Sequence, residues 1–331
     1  MRRTTIGATA LLCLVAFAHD AAPAGQTAPL PVAVPALDLL VGPSTRLLVV
    51  SPHPDDGMLG VGGLMRRVVT HGGQVHVVLM TSGDGFPAGV ETADGVARPT
   101  PEDYRRYGGR REIEARSAVA SLGMNRTATS FLGFPDEGMC ELASTYLSAK
   151  ASAFKSPYTQ RSEPPRAERI IRGVTYRGTD VRRELERLLR TFRPTIVAVP
   201  HPHDAHPDHC STHIFMHEAL DALASQRRPP PRVLHYLIHY RQWPLSDDAG
   251  NGSELQPPAG FAPSEGRLVS LALTPDEIEA KEHALRFYRS QMLVIGRFML
   301  GFARSNELYI EGEPASLPAC WCNGDNIVPA R

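Results

Sequence analysis

Two short stretches concentrate the residues that could do chemistry. His53-Pro54-Asp55-Asp56 follows the apolar run "RLLVVSP", and "HPHDAHPDH", residues 201–209, follows "PTIVAVP". Two adjacent carboxylates beside an imidazole at the end of a buried strand are costly to desolvate unless they hold something. That something is a metal, a phosphate or merely a turn. A catalytic zinc takes three protein ligands from histidine and carboxylate and keeps one position open for water. His53, Asp56 and one histidine of His206-Pro207-Asp208-His209 supply such a set from two strand ends. The ion would bring the pKa of its water towards neutrality and so make a nucleophile. Asp55, beside a proposed ligand, is placed to take that water's proton. A second histidine could stabilise an oxyanion or protonate a leaving group. Taken singly, each histidine reads as a surface or capping residue, and Asp55 and Asp56 read as caps of the next helix. Two such clusters after two strands favour the metal. His71, His76, His235 and His239 show no comparable grouping and read as structural. Cys210, directly after His209, reads as a buried thiol, since a fourth ligand would close the water position.

The elements that must carry these clusters alternate. Arg46–Val50 reads as a buried strand, Gly60–His71 as a helix stopped by Gly72-Gly73, and Val75–Thr81 as a second strand. Arg110–Leu122 and Val181–Thr191 read as helices, Thr129–Leu132 as a short extended segment, and Pro194–Pro200 as another buried strand. Pro275–Tyr288 has helical patterning with Thr274 as N-cap. Alternation of this kind predicts an α/β fold, a Rossmann-like, mainly parallel sheet with helices on both faces. Ligands of such sheets bind beyond the carboxyl ends of the strands, where both clusters lie. The expected domain covers 41–315. Residues 140–180 form an irregular insert rich in Ser, Pro and Arg, and 245–265 a polar excursion.

The glycines of Gly57–Gly63, in the order G-M-L-G-V-G-G, do not form the G-x-G-x-x-G fingerprint. No acidic residue ends the next strand, and no phosphate-binding G-x-x-x-x-G-K-[ST] loop occurs. Nucleotide binding is therefore not expected, and the glycines read as allowing close helix–sheet approach.

"SPHPDD" together with "HDAHPDH" resembles the LmbE/PIG-L family of zinc-dependent N-acetylglucosaminyl deacetylases. Leu59-Gly60-Val61-Gly62-Gly63, Arg111-x-x-Glu114 with Leu122-Gly123, "FLGFPDEGM" (131–139) and "KEHALRFYRSQ" (281–291) resemble further family segments in the same order. The resemblance spans residues 46–310. It implies His53, Asp56 and His209 as metal ligands, Asp55 as general base, and His206 as acid or oxyanion stabiliser. Arg111 and Asp136 match positions that contact sugar hydroxyls. Asp204, two residues before His206, is placed to orient that histidine through a hydrogen bond. Gly57 departs from the glutamate usual in the family. Zinc is the implied metal, although Fe2+ or Mn2+ also suits two histidines and one aspartate. The implied reaction is hydrolytic removal of an N-acetyl group from an amino sugar by a metal-bound water. A binder that has lost catalysis, or a hydrolase of another amide or ester, would share the fold. The intact His53, Asp55, Asp56, His206 and His209 set argues against the binder.

The 331 residues are 42% hydrophobic and carry 35 basic and 35 acidic side chains, for a formal net charge of zero. That balance gives no reason to expect a nucleic acid or an anionic membrane surface as partner. The expected partner is a glycan, glycolipid or small molecule bearing an N-acetyl amino sugar. Met1-Arg2-Arg3, the apolar run 6–18 and Ala16-Phe17-Ala18 have the pattern of a cleavable secretory signal over residues 1–18. A Pro/Ala-rich tether follows over 19–40. The expected location is secreted or periplasmic, with no stable membrane span. In an oxidising compartment Cys140, Cys210, Cys320 and Cys322 can form disulfides, and the spacing alone leaves three pairings open. Cys320 and Cys322 lie in an expected C-terminal tail, 316–331.

Overall fold

The unbroken apolar run Leu47–Val50 is what a strand covered on both faces requires, and both faces are covered. A computed structural model describes residues 33–224, 229–241, 243–244, 253–261, 266–312, 320–322 and 325–327. Along these run β1 (Arg46–Ser51), α1 (Asp56–Thr70), β2 (Gln74–Thr81), α2 (Pro87–Asp94), α3 (Pro101–Ser121), β3 (Thr129–Phe134), α4 (Met139–Ala143), α5 (Gly178–Phe192) and β4 (Ile196–Pro200). Then follow α6 (Pro207–Ala224), β5 (Arg232–Tyr236), β6 (Arg267–Ala272), α7 (Pro275–Leu285), α8 (Arg289–Leu300), β7 (Asn306–Glu311), β8 (Cys320–Cys322) and β9 (Asp325–Ile327).

Seven strands form one sheet in the order β3-β2-β1-β4-β5-β7-β6. The first five are parallel, and β7 and β6 close one edge in antiparallel fashion. The expected α/β architecture with a mainly parallel sheet is what the chain adopts. Side chains alternate across the sheet with the period of two that strands impose. Leu47 and Val49 pack with Leu64 of α1, Ala118 of α3 and Leu285 of α7. Leu48 and Val50 pack on the other face with Leu185 of α5 and Phe215 of α6. Helix α1 presses close to the sheet because Gly60 has no side chain: a Cβ there would stand 2.6 Å from Tyr236 Cδ2.

The sheet order reverses between β1 and β4, which are neighbours paired through Leu47–Val49 and Ile196–Ala198. This is the switch point where the carboxyl ends of such sheets leave a crevice. The segment after β1 is HPDD and the segment after β4 contains HPDH, so topology alone brings the clusters together.

Several boundaries differ from expectation. Helix α1 starts at Asp56 rather than Gly60. Helix α3 starts at Pro101, because Thr100 and Asp103 form a reciprocal capping box that the apolar pattern does not reveal. Thr274 caps α7 as expected, again with a capping box, to Glu277. The tether was expected to run to residue 40, but the chain is packed from residue 35. The Leu37 N–H donates to the Ser270 carbonyl, the Ser270 N–H donates to the Pro35 carbonyl, and Leu37 is buried. The expected signal segment and the tether up to residue 32 lie outside the described residues. Residues 140–180 are irregular apart from α4, one turn of 3-10 helix at Arg166–Glu168 and the start of α5 at Gly178. They are fastened to β3 by the Tyr176 hydroxyl, which donates to the Gly133 carbonyl at 3.0 Å.

Cys210 is not a thiol. It forms a disulfide with Cys320 across 110 residues, with Cα atoms 5.7 Å apart. Cys140 is disulfide-bonded as well. Cys320, expected in a tail, is thus bonded to α6 and buried. No helix among the described residues is long and apolar enough to cross a membrane.

Candidate metal centre

The HPDD turn is wound around its own polar groups. The Ser51 hydroxyl donates to the His53 carbonyl and accepts from the Gly57 N–H, while the His53 N–H donates to Asp56 Oδ2 at 2.8 Å. Asp55 occupies the N-cap position of α1 yet makes no capping hydrogen bond. The capping explanation therefore does not hold for Asp55, whose carboxylate is left for the crevice, and Asp56 Oδ2 faces the crevice while it accepts from the His53 N–H.

Three atoms meet there. His53 Nδ1 lies 2.9 Å from Asp56 Oδ2, His209 Nε2 lies 3.0 Å from that same oxygen, and the two nitrogens are 3.2 Å apart. Ligands held at about 2.0–2.1 Å by one tetrahedral ion stand about 3.3 Å from one another. The triangle is nearly that size. The far nitrogen of each imidazole is held by a carboxylate. His53 Nε2 is 3.0 Å from Asp136 Oδ1, and His209 Nδ1 is 3.1 Å from Asp204 Oδ2. This is how metal-ligating histidines are fixed in orientation. Asp204 therefore orients His209, not His206 as its position in the sequence suggests. Its carboxylate also accepts from the backbone N–H groups of His206, Ile238 and His239, which fixes it rigidly.

The electrostatics fit a cation. Asp55, Asp56, Asp136, Asp204 and Asp208 are all buried, and the buried Arg111 guanidinium acts on Asp55 and Asp136 among them. Burial would lower His53, but Asp56 and Asp136 raise it well above the ordinary imidazole value. Burial would likewise lower His209, and Asp204 and Asp56 raise it to about 9. Burial would raise Asp56, but His209 and His53 hold it well below the usual carboxylate range. A site that pulls protons onto its histidines is one that needs positive charge at its centre. A divalent ion satisfies the same demand with a better-matched donor set, two imidazoles and one carboxylate.

Above the triangle opens a cleft of about 250 Å³. His53, Asp55 and Asp56 lie on its lining, with Phe86 and Phe298 as apolar walls. Burial raises the Asp55 carboxyl, and Arg111 partly offsets this. Arg111 Nη2 donates to Asp55 Oδ1 at 2.8 Å and Nη1 to the Gly83 carbonyl at 2.7 Å. Gly83 has φ +62°, and a Cβ there would stand 1.9 Å from Arg111 Nη1, so this position requires glycine. Arg111 and Asp136, expected to meet a sugar, both line the cleft but are already committed, Arg111 to Asp55 and Asp136 to His53. Asp136 Oδ2 also accepts from the Gly85 N–H at 2.5 Å. His206 lies at the cleft with its ring centroid 4.6 Å from that of His53 and its Nε2 3.3 Å from Glu137 Oε1.

Two residues of the site were not anticipated. His239, read as structural, lines the cleft with its ring centroid 5.0 Å from that of His209, and burial lowers its pKa to about 4. Its position just beyond β5, the next strand end, was the available signal. Asp208 accepts from the backbone N–H groups of Glu137 and Met139, tying the HPDH segment to the turn after β3. Other motif residues find their partners here as well. Glu114 accepts from the Ser290 N–H and hydroxyl, and Gln291 lies 3.0 Å from the Arg111 guanidinium once its amide oxygen faces it. Lys281 pairs with Glu307 at 2.7 Å in a buried ion pair.

An α/β sheet with a buried histidine–carboxylate triangle fit for a metal, at the switch point, defines the class. Within that class the chain belongs to the PIG-L family, whose model, described as GlcNAc-PI de-N-acetylase, matches residues 48–220. It is 29% identical over 269 residues to a 1D-myo-inositol 2-acetamido-2-deoxy-alpha-D-glucopyranoside deacetylase of Rhodococcus opacus, covering 75% of this chain and 82% of that one. It is 30% identical over 262 residues to a deacetylase of the same description from Saccharopolyspora erythraea, covering 75% and 78%. Among solved structures it is similar to the N,N'-diacetylchitobiose deacetylase of Pyrococcus horikoshii, at 18% identity and a TM-score of 0.44 over 77% of this chain and 76% of that one.

Proposed function

We propose that this chain is an exported, metal-dependent hydrolase that removes the N-acetyl group from an N-acetylglucosamine-type amino sugar or its conjugate. The observation that carries the reading is the triangle of His53 Nδ1, Asp56 Oδ2 and the fully buried His209 Nε2, whose His53 and Asp56 line a cleft that Asp55 shares. The deacetylase descriptions of the relatives agree with it. His53, Asp56 and His209 would hold the ion, zinc by donor type, with Fe2+ or Mn2+ also suited to that set. When bound, the ion lowers the pKa of water at its open position and polarises the acetamide carbonyl.

The remaining work falls to this chain's residues. Asp55, held in place by Arg111, takes a proton from the attacking water as its oxygen bonds to the carbonyl carbon. Burial brings Asp55 closer to neutrality, which suits a general base. His206 donates to the carbonyl oxygen as charge builds there, and its proton accompanies the nitrogen as the C–N bond breaks. Acetate and the free amino sugar leave. Arg111 and Asp136 present their remaining donor and acceptor capacity to sugar hydroxyls. Phe86 and Phe298 give a ring face apolar cover.

Export is supported by the basic-then-apolar N-terminus and by the Cys210–Cys320 disulfide, which persists in oxidising compartments. The test is acetate release from N-acetylglucosaminyl inositol, N-acetylglucosamine, N,N'-diacetylchitobiose and N-acetylglucosaminyl lipids, with the metal removed and then restored. Release that requires the metal and vanishes in His53→Ala is expected. No release from any substrate by the metal-loaded protein would overturn the reading.

A further inference from the structure

His235, which reads as structural in the sequence, is not solitary in the fold. It sits on β5, and α6 brings His213 and His217 against it, one and two turns beyond His209. One nitrogen of each ring lies within 4.8 Å of the others, and His217 Nε2 is 3.1 Å from His235 Nε2. We propose that His213, His217 and His235 form a second metal site that takes one transition-metal ion of the zinc, cobalt, nickel or copper class through three neutral imidazoles.

The orientation of the rings supports this. His213 Nδ1 is 3.2 Å from the Pro200 carbonyl oxygen, and His235 Nδ1 is 3.2 Å from the Ile310 carbonyl oxygen. A carbonyl only accepts, so in both rings Nδ1 carries the proton and Nε2 keeps its lone pair. Carbonyl-held imidazoles of this tautomer are what a metal site uses. The 3.1 Å between His217 Nε2 and His235 Nε2 is close to the roughly 3.3 Å expected for two nitrogens on one tetrahedral ion. His213 stacks on His217 with centroids 4.1 Å apart, and His201 stands edge-on to His235 at 5.8 Å. Burial, reinforced by the neighbouring rings, lowers His213 well below the ordinary value, and burial takes His217 to about 4 and His235 to about 3. All three are neutral near pH 7, the form that ligates. An all-imidazole set selects borderline metals over calcium or magnesium. The three residues do not line the catalytic cleft. The ion would tie α6 to β5 beneath the first cluster, a structural role.

The test uses full-length, tag-free protein dialysed against buffered zinc, with metal content read by plasma mass spectrometry. His217 is only partly buried, so His217→Gln should fold, and circular dichroism checks that it does. The variant is expected to hold one ion per chain fewer than wild type, whatever the occupancy of the first cluster. Equal metal content in the two overturns the proposal and leaves a stack of neutral, hydrogen-bonded histidines. Asp56→Asn, which removes a donor of the first cluster, provides an independent arm: it should retain one ion, and retention of none overturns the proposal. In the cobalt-loaded form, His217→Cys should add a thiolate-to-cobalt charge-transfer band, and its absence would remove His217 from the ligand set.

Discussion

Helix α6 contributes histidines to two clusters one turn apart, His209 to the first and His213 and His217 to the second, and the clustered imidazoles are shifted in opposite directions. In the first, burial is overcome by carboxylates, and His53 and His209 are pulled towards the charged form. In the second, burial lowers all three, reinforced by other imidazoles at His213 and His235 and only weakly opposed by Asp221 at His217, and the three are pushed to the neutral form. Burial alone does not set an imidazole's state; carboxylates close enough to outweigh it reverse the shift, as at His53 and His209. A carboxylate-rich cluster beside a cleft can bind an ion and keep a base at hand. An all-imidazole cluster away from the cleft can bind an ion but offers no group to take a proton.

Breaking the first cluster should have the largest effect. His209→Ala is expected to reduce acetate release to background, and metal analysis should show its ion lost. Asp55→Asn should keep the ion but lower kcat by about 10²–10⁴-fold, the usual contribution of a positioned general base. Full activity in that variant would remove Asp55 from its role. Asp204→Asn should weaken zinc affinity by about 10–100-fold, because the charged partner of His209 Nδ1 is lost while the ligands themselves remain. A competition titration against a chelator measures this. An unchanged affinity would mean that the outer carboxylate is dispensable.

A pH series of melts sharpens the contrast in metal-free protein. His209, at about 9 when folded against about 6.5 unfolded, contributes stability that is complete below about 6.5 and lost as pH rises through 9. His217 and His235, at about 4 and 3, contribute stability that is complete above about 6.5 and lost as pH falls towards those values. Metal-free protein should therefore lose Tm on both sides of neutrality, with His217→Gln flattening only the acid limb. A Tm flat from neutrality to pH 9 would contradict the charge state assigned to the first cluster. The smallest effect expected is on turnover in His217→Gln, whose kcat for acetate release should stay near wild type.

Much of the first cluster was legible because its information is local. HPDD and HPDH each follow an apolar run, and a strand followed by a polar turn announces a crevice residue. The second cluster was legible in principle, since His209, His213 and His217 recur every four residues as one helix face requires. It was overlooked because its third member, His235, lies in "RVLHY", a strand with polar residues that the apolar pattern passes over. His239, just beyond that strand, was missed because it stands alone there, with no second histidine or carboxylate beside it in the sequence. The roles of Arg111 and Asp204 were displaced rather than lost. Arg111 reaches Asp55 across 56 residues, and Asp204 serves His209 because α6 turns that ring back over it.

By itself the sequence determined which donor types stand at which strand ends, the α/β alternation that places them, and the family motifs that surround them. These follow from nearest-neighbour chemistry and the period of each element. Only the tertiary structure decided that His53 and His209, 156 residues apart, share an oxygen of Asp56. It likewise chose Cys320 as the partner of Cys210 and assembled three histidines beneath the site. The physical reason is that each depends on β1, β4 and β5 lying side by side, an order fixed by burying both faces of one sheet at once.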